Sequence, residues 1–374
     1  MNIAINTQLL IKDKLEGIGW FEYETLKRIT KANPQHNFFF IFDRKWDDSF
    51  IFSENVTPLK TSVPSRHPFL WYYRFHIEIP QLLKKHKIDL FYSPDGWNVP
   101  KKYKSIIALH DLNFWHFPDN LPGLTSRYYK KYFPRYAKDA KRIVTVSEYS
   151  KHDIVDSFSI DPKVVDVVYN AASEVFTPLN TEDKNKAKAK FSKEQDYFAF
   201  VGALNPRKNL QSLMLAFDKF CQQSNPNINL VIAGEAMFEN TSFKKAYQAL
   251  EYKNRVHFAN RLKREDVALL IGGAKALLLP SKFEGFGIPI VEAMNCDVPV
   301  LTSNTSCMPE IAGDAAYFVN PLSIESITLG LSELYHNDAL RNSLIEKGKI
   351  QRKKYSWNKT AELLWQSIEK ALYS

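Results

Sequence analysis

The chain has 374 residues, 45% hydrophobic and 24% charged, with a formal net charge of +9. That length exceeds one typical compact core and predicts two domains, and the balance is that of an ordinary globular protein. No apolar run approaches the roughly 18 residues needed to cross a bilayer. Met1 to Ile5 enters an apolar run directly and reads as a first strand, not as a signal peptide. The three cysteines, Cys221, Cys296 and Cys307, lack metal-ligand spacing, and a reducing cytosol is the expectation.

Apolar runs alternate with longer amphipathic segments from end to end, the pattern of an α/β protein with parallel sheets. The first half opens with a strand at Ile3–Ile5, a loop holding Gly17-Ile18-Gly19, and a helix at about Phe21–Lys31. Strands are predicted at Phe38–Phe42 and Ile88–Tyr92. The aromatic segment Phe69–Phe75 between them, continuing to Leu83 past Pro80, is expected to be core, because aromatic stripes at helical spacing usually are, with a membrane-dipping helix as the alternative. Strand Ser105–Leu109 delivers His110-Asp111 to its C-terminal end, where ligands bind in open α/β sheets. A helix at about Thr125–Ala140 precedes strand Ile143–Val146, and Ser147 is placed to cap the next helix. Strand Val164–Val168 closes this half.

Residues 176–196, rich in Lys and Glu and carrying one short helical pattern, read as a linker, and the alternation restarts at Tyr197–Val201. Further strands are expected at Leu230–Ala233, Val256–Phe258, Ala276–Leu279 and Val298–Thr302. Trp357–Leu372 carries a last amphipathic helical pattern. Between Arg127 and Lys151 stand eight basic residues against two acidic ones, Asp139 and Glu148. Such a face attracts anionic headgroups or phosphorylated acceptors, although a solvated helix surface explains it with less. No nucleic-acid reading motif accompanies it, so no nucleic-acid partner is predicted.

The chemistry concentrates in Pro280–Glu292. Gly285 and Gly287 break the chain after a buried strand, and Ile288–Met294 starts a helix with Pro289 in its first turn. A helix N-terminus of this kind presents free N–H groups and suits a phosphate. Glu284 and Glu292, eight positions apart, read as two separate acceptors for hydroxyls at the two ends of one ligand. Arg207 and Lys208 follow a glycine-containing turn and suit phosphate oxygens. No carboxylate cluster of metal-binding type is visible, so no metal is predicted.

Glu284-x7-Glu292 with Gly-Phe-Gly between, together with Pro280-Ser281, Pro299-Val300 and Pro309-Glu310, resembles the signature of the retaining family-four glycosyltransferases of the GT-B superfamily. Gly17-Ile18-Gly19, His110-Asp111-Leu112, Val146-Ser147-Glu148, Phe200-Val201-Gly202 through Lys208-Asn209-Leu210, and Ser356-Trp357 occur in the order that family shows. The resemblance implies a GT-B fold of two Rossmann-like α/β domains facing each other across a cleft. These are an acceptor domain at 1–175, the linker 176–196, a nucleotide-sugar domain at 197–355, and a final helix, 356–374, crossing back to the first domain.

It further implies that His110 contacts the transferred sugar, that Glu284 holds sugar hydroxyls, and that Glu292 holds the ribose. Gly285, Phe286, Gly287 and Ile288 would offer backbone N–H groups, and Gly17 and Gly19 would let the backbone approach the diphosphate. Arg207 and Lys208 would stabilise the leaving diphosphate from across the cleft. Relatives often carry an arginine where Ala203 stands, and a glycine where Asn260 stands. The implied activity is retaining hexosyl transfer, with the Pro206-Arg207-Lys208-Asn209 block favouring a mannosyl donor. The expected donor is a UDP- or GDP-sugar with no further cofactor. The acceptor would be a glycan or lipid-linked sugar in cell-surface polysaccharide assembly. The location would be the cytoplasm, with peripheral membrane contact through residues 127–151. A sugar-nucleotide epimerase or hydrolase of the same fold is the alternative enzyme, and a non-catalytic glycan-binding protein the alternative to an enzyme.

Overall fold

The structure, a computed structural model, describes residues 1–64, 67–235 and 241–373. The chain divides into two units, one of residues 1–170 with 356–374 and one of residues 171–355.

In the first unit the strands are β1 (Asn2–Asn6), β2 (Asn37–Phe42), β3 (Val56–Lys60), β4 (Leu90–Ser93), β5 (Ser105–Ala108), β6 (Arg142–Thr145) and β7 (Val165–Val167). They form one sheet in the order β3-β2-β1-β4-β5-β6-β7. Every pairing is parallel. Runs such as LFYS and SIIA are buried throughout, as expected where helices cover both faces of a parallel sheet. The strand order reverses between β1 and β4. Connections leave these two strands in opposite directions, which opens a crevice at their C-terminal ends. The helix Trp357–Tyr373 belongs to this unit. It buries Trp357, Ala361, Leu364 and Ile368 along one stripe. Ser367 Oγ donates to Asp166 Oδ2 at 2.6 Å and Thr360 Oγ1 to the Tyr169 carbonyl at 2.7 Å.

The second unit repeats the plan with β8 (Asp196–Val201), β9 (Ile228–Ala233), β10 (Val256–Asn260), β11 (Ala276–Leu279), β12 (Val300–Ser303) and β13 (Ala316–Val319). The order is β10-β9-β8-β11-β12-β13, again all parallel. Here the reversal lies between β8 and β11.

The structure departs from the sequence reading in four places. Residues 176–196 are not a bare linker, because Thr181–Ser192 is a helix of the second unit, capped by Asn180 Oδ1 accepting from Asp183 N at 2.8 Å. The short helical pattern was legible, but its sequence is polar almost all round, with only Ala187 and Ser192 buried, so no apolar stripe tied it to the second unit. Strands β3 and β13 were not expected. Both are edge strands with partly exposed residues, and β3 carries Pro58, which edge positions tolerate. Gly17 and Gly19 lie inside the first turn of the helix Gly17–Ala32, not in a loop before it. The segment Phe69–Phe75 is only half core. Trp71, Arg74 and Phe75 are buried, whereas Phe69, Tyr72 and Tyr73 are exposed.

Candidate active site

The ends of β8 and β11 carry the residues singled out after them. Past Val201 the chain passes Gly202, at φ +152°, where a side chain would press on Lys208 Cε at 3.4 Å. A short turn, Pro206–Lys208, follows, capped by Asn205 Oδ1 accepting from Arg207 N at 3.0 Å. Asn209 adopts the left-handed conformation at φ +60°, which asparagine tolerates better than most residues. Its buried Nδ2 donates to the carbonyls of Pro280 at 3.1 Å and Pro321 at 2.6 Å. Lys282 N donates to the Arg207 carbonyl at 2.7 Å. Two loops distant in sequence are thereby laced together at the reversal point of the sheet.

Between those loops sits one carboxylate with two cations. Arg207 Nη1 lies 2.7 Å from Glu284 Oε2, and Lys208 Nζ lies 2.6 Å from Glu284 Oε1. Ser281 Oγ donates to the same Oε1 at 2.7 Å, and Arg207 Nη1 also reaches the Phe283 carbonyl at 2.9 Å. Glu284 is 4% exposed and Lys208 8%. Burial by itself would raise the Glu284 pKa. The Arg207 guanidinium, the Lys208 ammonium and the hydrogen bonds from Lys208 and Ser281 outweigh it and bring it to about 2. The expectation that Arg207 and Lys208 face Glu284 across a cleft is therefore corrected: all three belong to the second unit and form one ion-paired group. Paired loops, not separate domains, bring them together.

Glu292 stands apart from that group, within the helix Ile288–Asn295. Burial pushes its pKa up to about 7, against the opposing pull of Arg264 and Lys208. Gly287 caps this helix at φ +81°, where any side chain would be strained and would also crowd Ile290 Cδ1 at 3.1 Å. No side-chain cap occupies the helix start, so the N–H groups of Gly287 and Ile288 lie beside the Glu284 loop. The ring of Phe286 is 3% exposed and packs edge-on against Tyr355 at 5.5 Å. Phe286 therefore anchors the loop through its ring. Asn260, where relatives carry glycine, sits at φ +54°, a conformation both residues accept.

In the first unit His110 follows β5 at the C-terminal edge of the sheet. Its Nε2 lies 2.9 Å from the Pro94 carbonyl, which can only accept, so Nε2 carries the proton. Burial lowers its pKa, so the ring is neutral at pH 7 and Nδ1 is left as an acceptor. Phe21 packs edge-on against the ring at 4.9 Å and fixes its plane. Asp111 is taken up locally, its Oδ1 accepting from Asn113 N at 2.9 Å. Gly19 is closely packed where it stands: a Cβ there would lie 3.1 Å from the Leu9 carbonyl oxygen and 3.2 Å from Leu15 Cδ2, so a side chain would need both to shift slightly.

Sequence reasoning missed the buried network behind Pro94. Asp95 accepts from Asn6 Nδ2 at 3.0 Å and Ser93 Oγ at 2.8 Å, and also from Gln8 Nε2. The fully buried Arg74 donates to Asn6 Oδ1 at 3.0 Å, Gln8 Oε1 at 2.6 Å and Thr61 Oγ1 at 3.1 Å. An arginine inside an aromatic run was the one available signal. Asn209 and Ser281 were also missed as orienting residues, since neither stands out by charge.

Residues 181–351 match the family described as glycosyl transferases group 1, and residues 25–173 match glycosyltransferase family 4. The chain is a family-four glycosyltransferase. Its fold is GT-B: the glycosyltransferase WaaG of lipopolysaccharide biosynthesis superposes with a TM-score of 0.75 at 17% identity, covering 96% of this chain and 97% of that one. Anabaena Alr3699/HepE, solved in complex with UDP and glucose, gives a TM-score of 0.75 at 15% identity over 98% and 99% of the two chains. Among curated relatives, the glycosyltransferase is 25% identical to O-antigen chain mannosyltransferase B of Escherichia coli, over 93% of this chain and 94% of the relative. It is 29% identical to O-antigen chain mannosyltransferase RfbU of Salmonella typhimurium, over 70% and 69%.

Proposed function

We propose that this glycosyltransferase moves a mannosyl unit from a nucleotide diphosphate sugar, GDP- or UDP-linked, onto a glycan or lipid-linked acceptor in cell-surface polysaccharide assembly, with retention at the anomeric carbon. The observation that carries the reading is the Arg207–Lys208–Glu284 group at the ends of β8 and β11. The names of the curated relatives support the sugar and the setting, and the UDP-bound fold neighbour supports a nucleotide donor.

The bond that breaks joins the anomeric carbon to the β-phosphate oxygen, and negative charge grows on the leaving diphosphate. Arg207 and Lys208 counter that charge more strongly in the transition state than in the ground state. Glu284 holds both cations in position, keeps them from collapsing onto solvent, and accepts from sugar hydroxyls. Glu292 accepts from the ribose, and the N–H groups of Gly287 and Ile288 face phosphate. His110 Nδ1 accepts from a hydroxyl of the transferred sugar. The acceptor oxygen attacks on the face the diphosphate leaves, and its proton passes to the leaving phosphate oxygen. The cations take the place a divalent ion holds in other transferases. Among the described residues no group of three or more His, Cys, Asp or Glu side chains could hold a metal.

The test is incubation with GDP-mannose and with UDP-sugars, with and without a disaccharide acceptor carrying a lipid-like aglycone. Product anomers are read by NMR coupling constants. An α-linked product from an α-linked donor, undiminished by chelator, is expected. Donor turnover independent of acceptor would point to an epimerase or hydrolase instead.

A further inference from the structure

The loop after β4 carries the carbonyl that orients His110, and a network of buried polar side chains lies behind it. His110 Nε2 donates to the Pro94 carbonyl at 2.9 Å. The other constraints on His110 leave its tautomer open. Phe21 fixes the ring plane, and Ser150 Oγ donates to the His110 backbone carbonyl at 3.3 Å. The Pro94 carbonyl therefore decides which ring nitrogen keeps the proton. Its own position is set at the next residue. Asp95 Oδ1 accepts from Asn6 Nδ2 at 3.0 Å and Ser93 Oγ at 2.8 Å, and Oδ2 accepts from Gln8 Nε2. Gly96 follows at φ +84°, where a Cβ would lie 2.7 Å from Phe133 Cε1 and 2.8 Å from Leu109 Cδ2. The Pro94–Asp95 peptide is held on one side by the Asp95 carboxylate and on the other by close packing around Gly96.

Arg74 gives that hold its direction. A guanidinium can only donate, so Asn6 and Gln8 turn their amide oxygens to it, at 3.0 Å and 2.6 Å. Their NH2 groups then point to Asp95, which accepts. The result is a chain of fixed polarity that runs from Arg74 through the two amides to Asp95 and ends at His110. We propose that Asp95 is a positioning residue for sugar transfer, holding the Pro94 carbonyl where it keeps the proton on His110 Nε2 and leaves Nδ1 as the acceptor. The catalytic half of this rests on the reading of His110 as a contact of the transferred sugar. The tautomer does not depend on that reading.

Asp95→Asn tests it. The new amide sets an NH2 against that of Gln8, and turning the Gln8 amide over only moves the conflict to Arg74. Adding Gln8→Glu reverses the bond: a carboxylate at position 8 accepts from the amide at 95 and from Arg74, with the number of acidic side chains unchanged. Nitrogen-15 NMR of the full chain labelled on histidine reads the ring, the His110 signals being those lost in His110→Phe. The wild type should show the Nε2-protonated tautomer. Asp95→Asn should show both neutral tautomers, with kcat lowered about tenfold and the donor KM within about threefold of wild type. The double variant should regain the wild-type tautomer and come within about threefold of its kcat. Circular dichroism establishes folding. Should Asp95→Asn not fold, Ser93→Ala, which removes one donor from Oδ1 and opposes none, carries the same readout. An unchanged tautomer in a folded variant, or a double variant no better than Asp95→Asn, would overturn the proposal. A shifted tautomer with unchanged kcat would uphold Asp95 as the residue that orients the ring and overturn the reading of His110 as a sugar contact.

Discussion

Lys208 Nζ and Glu284 Oε1 lie 2.6 Å apart, with the aliphatic part of the lysine over Gly202. The contact fits an ammonium into a narrow place between a glycine backbone and a buried carboxylate. A guanidinium is broader and planar, so Lys208→Arg should not substitute. Lys208→Ala is expected to lower kcat/KM by roughly 30- to 1000-fold, the cost of about 2–4 kcal/mol for one preorganised charge. Lys208→Arg should recover less than a tenth of the loss, measured by initial rates of sugar transfer.

Glu284 links the same group to acid stability. Its folded pKa, about 2, is depressed from the ordinary 4.5, so its stabilisation is fully present above pH 4.5 and is lost as pH falls towards 2. The shift corresponds to about 3 kcal/mol. Denaturant titrations of the wild type and Glu284→Gln should differ most at pH 6–7 and converge only as the pH approaches about 2. A constant gap across that range would contradict the ion-paired description.

Glu292 has the opposite sign. Its pKa, raised to about 7, means that folding favours the protonated carboxyl, so this residue makes stability fall as pH rises from 4.5 through 7. Ribose hydroxyls donate better to the carboxylate. Donor affinity should therefore rise several-fold between pH 6 and 8, and Glu292→Gln should flatten that dependence. Calorimetric titration at the two pH values reads both.

For His110, the bond to the Pro94 carbonyl predicts a neutral ring protonated on Nε2 at pH 7. Nitrogen-15 NMR of the labelled enzyme should show that tautomer. His110→Phe, which keeps the packing against Phe21 but removes the acceptor at Nδ1, should lower kcat about tenfold or more while leaving nucleotide binding within about threefold.

Much of this was readable in the sequence. The strands β8 and β11 are buried on both sides, so their apolar runs stand out, and Gly202, Gly285 and Gly287 mark the turns that follow them. What was not readable follows from long-range packing. Nothing in the spacing of Arg207 and Glu284, 77 positions apart, says that they touch. That depends on β8 and β11 being neighbours and on Asn209 tying their loops together. The polar surface of the helix Thr181–Ser192 concealed which unit it belongs to, and β3 and β13 were hidden by their places at sheet edges. The aromatic segment misled because periodicity reports that one face is buried and says nothing of what covers the other.

In the proposed mechanism Arg207 and Lys208 hold the donor diphosphate. Calorimetric titration of GDP and UDP into the wild type and into the Arg207→Ala, Lys208→Ala double variant tests it most directly. The preferred nucleotide should bind the wild type, and the double variant, still folded by circular dichroism, should bind it at least 100-fold more weakly. Equal affinity in the two proteins would contradict it.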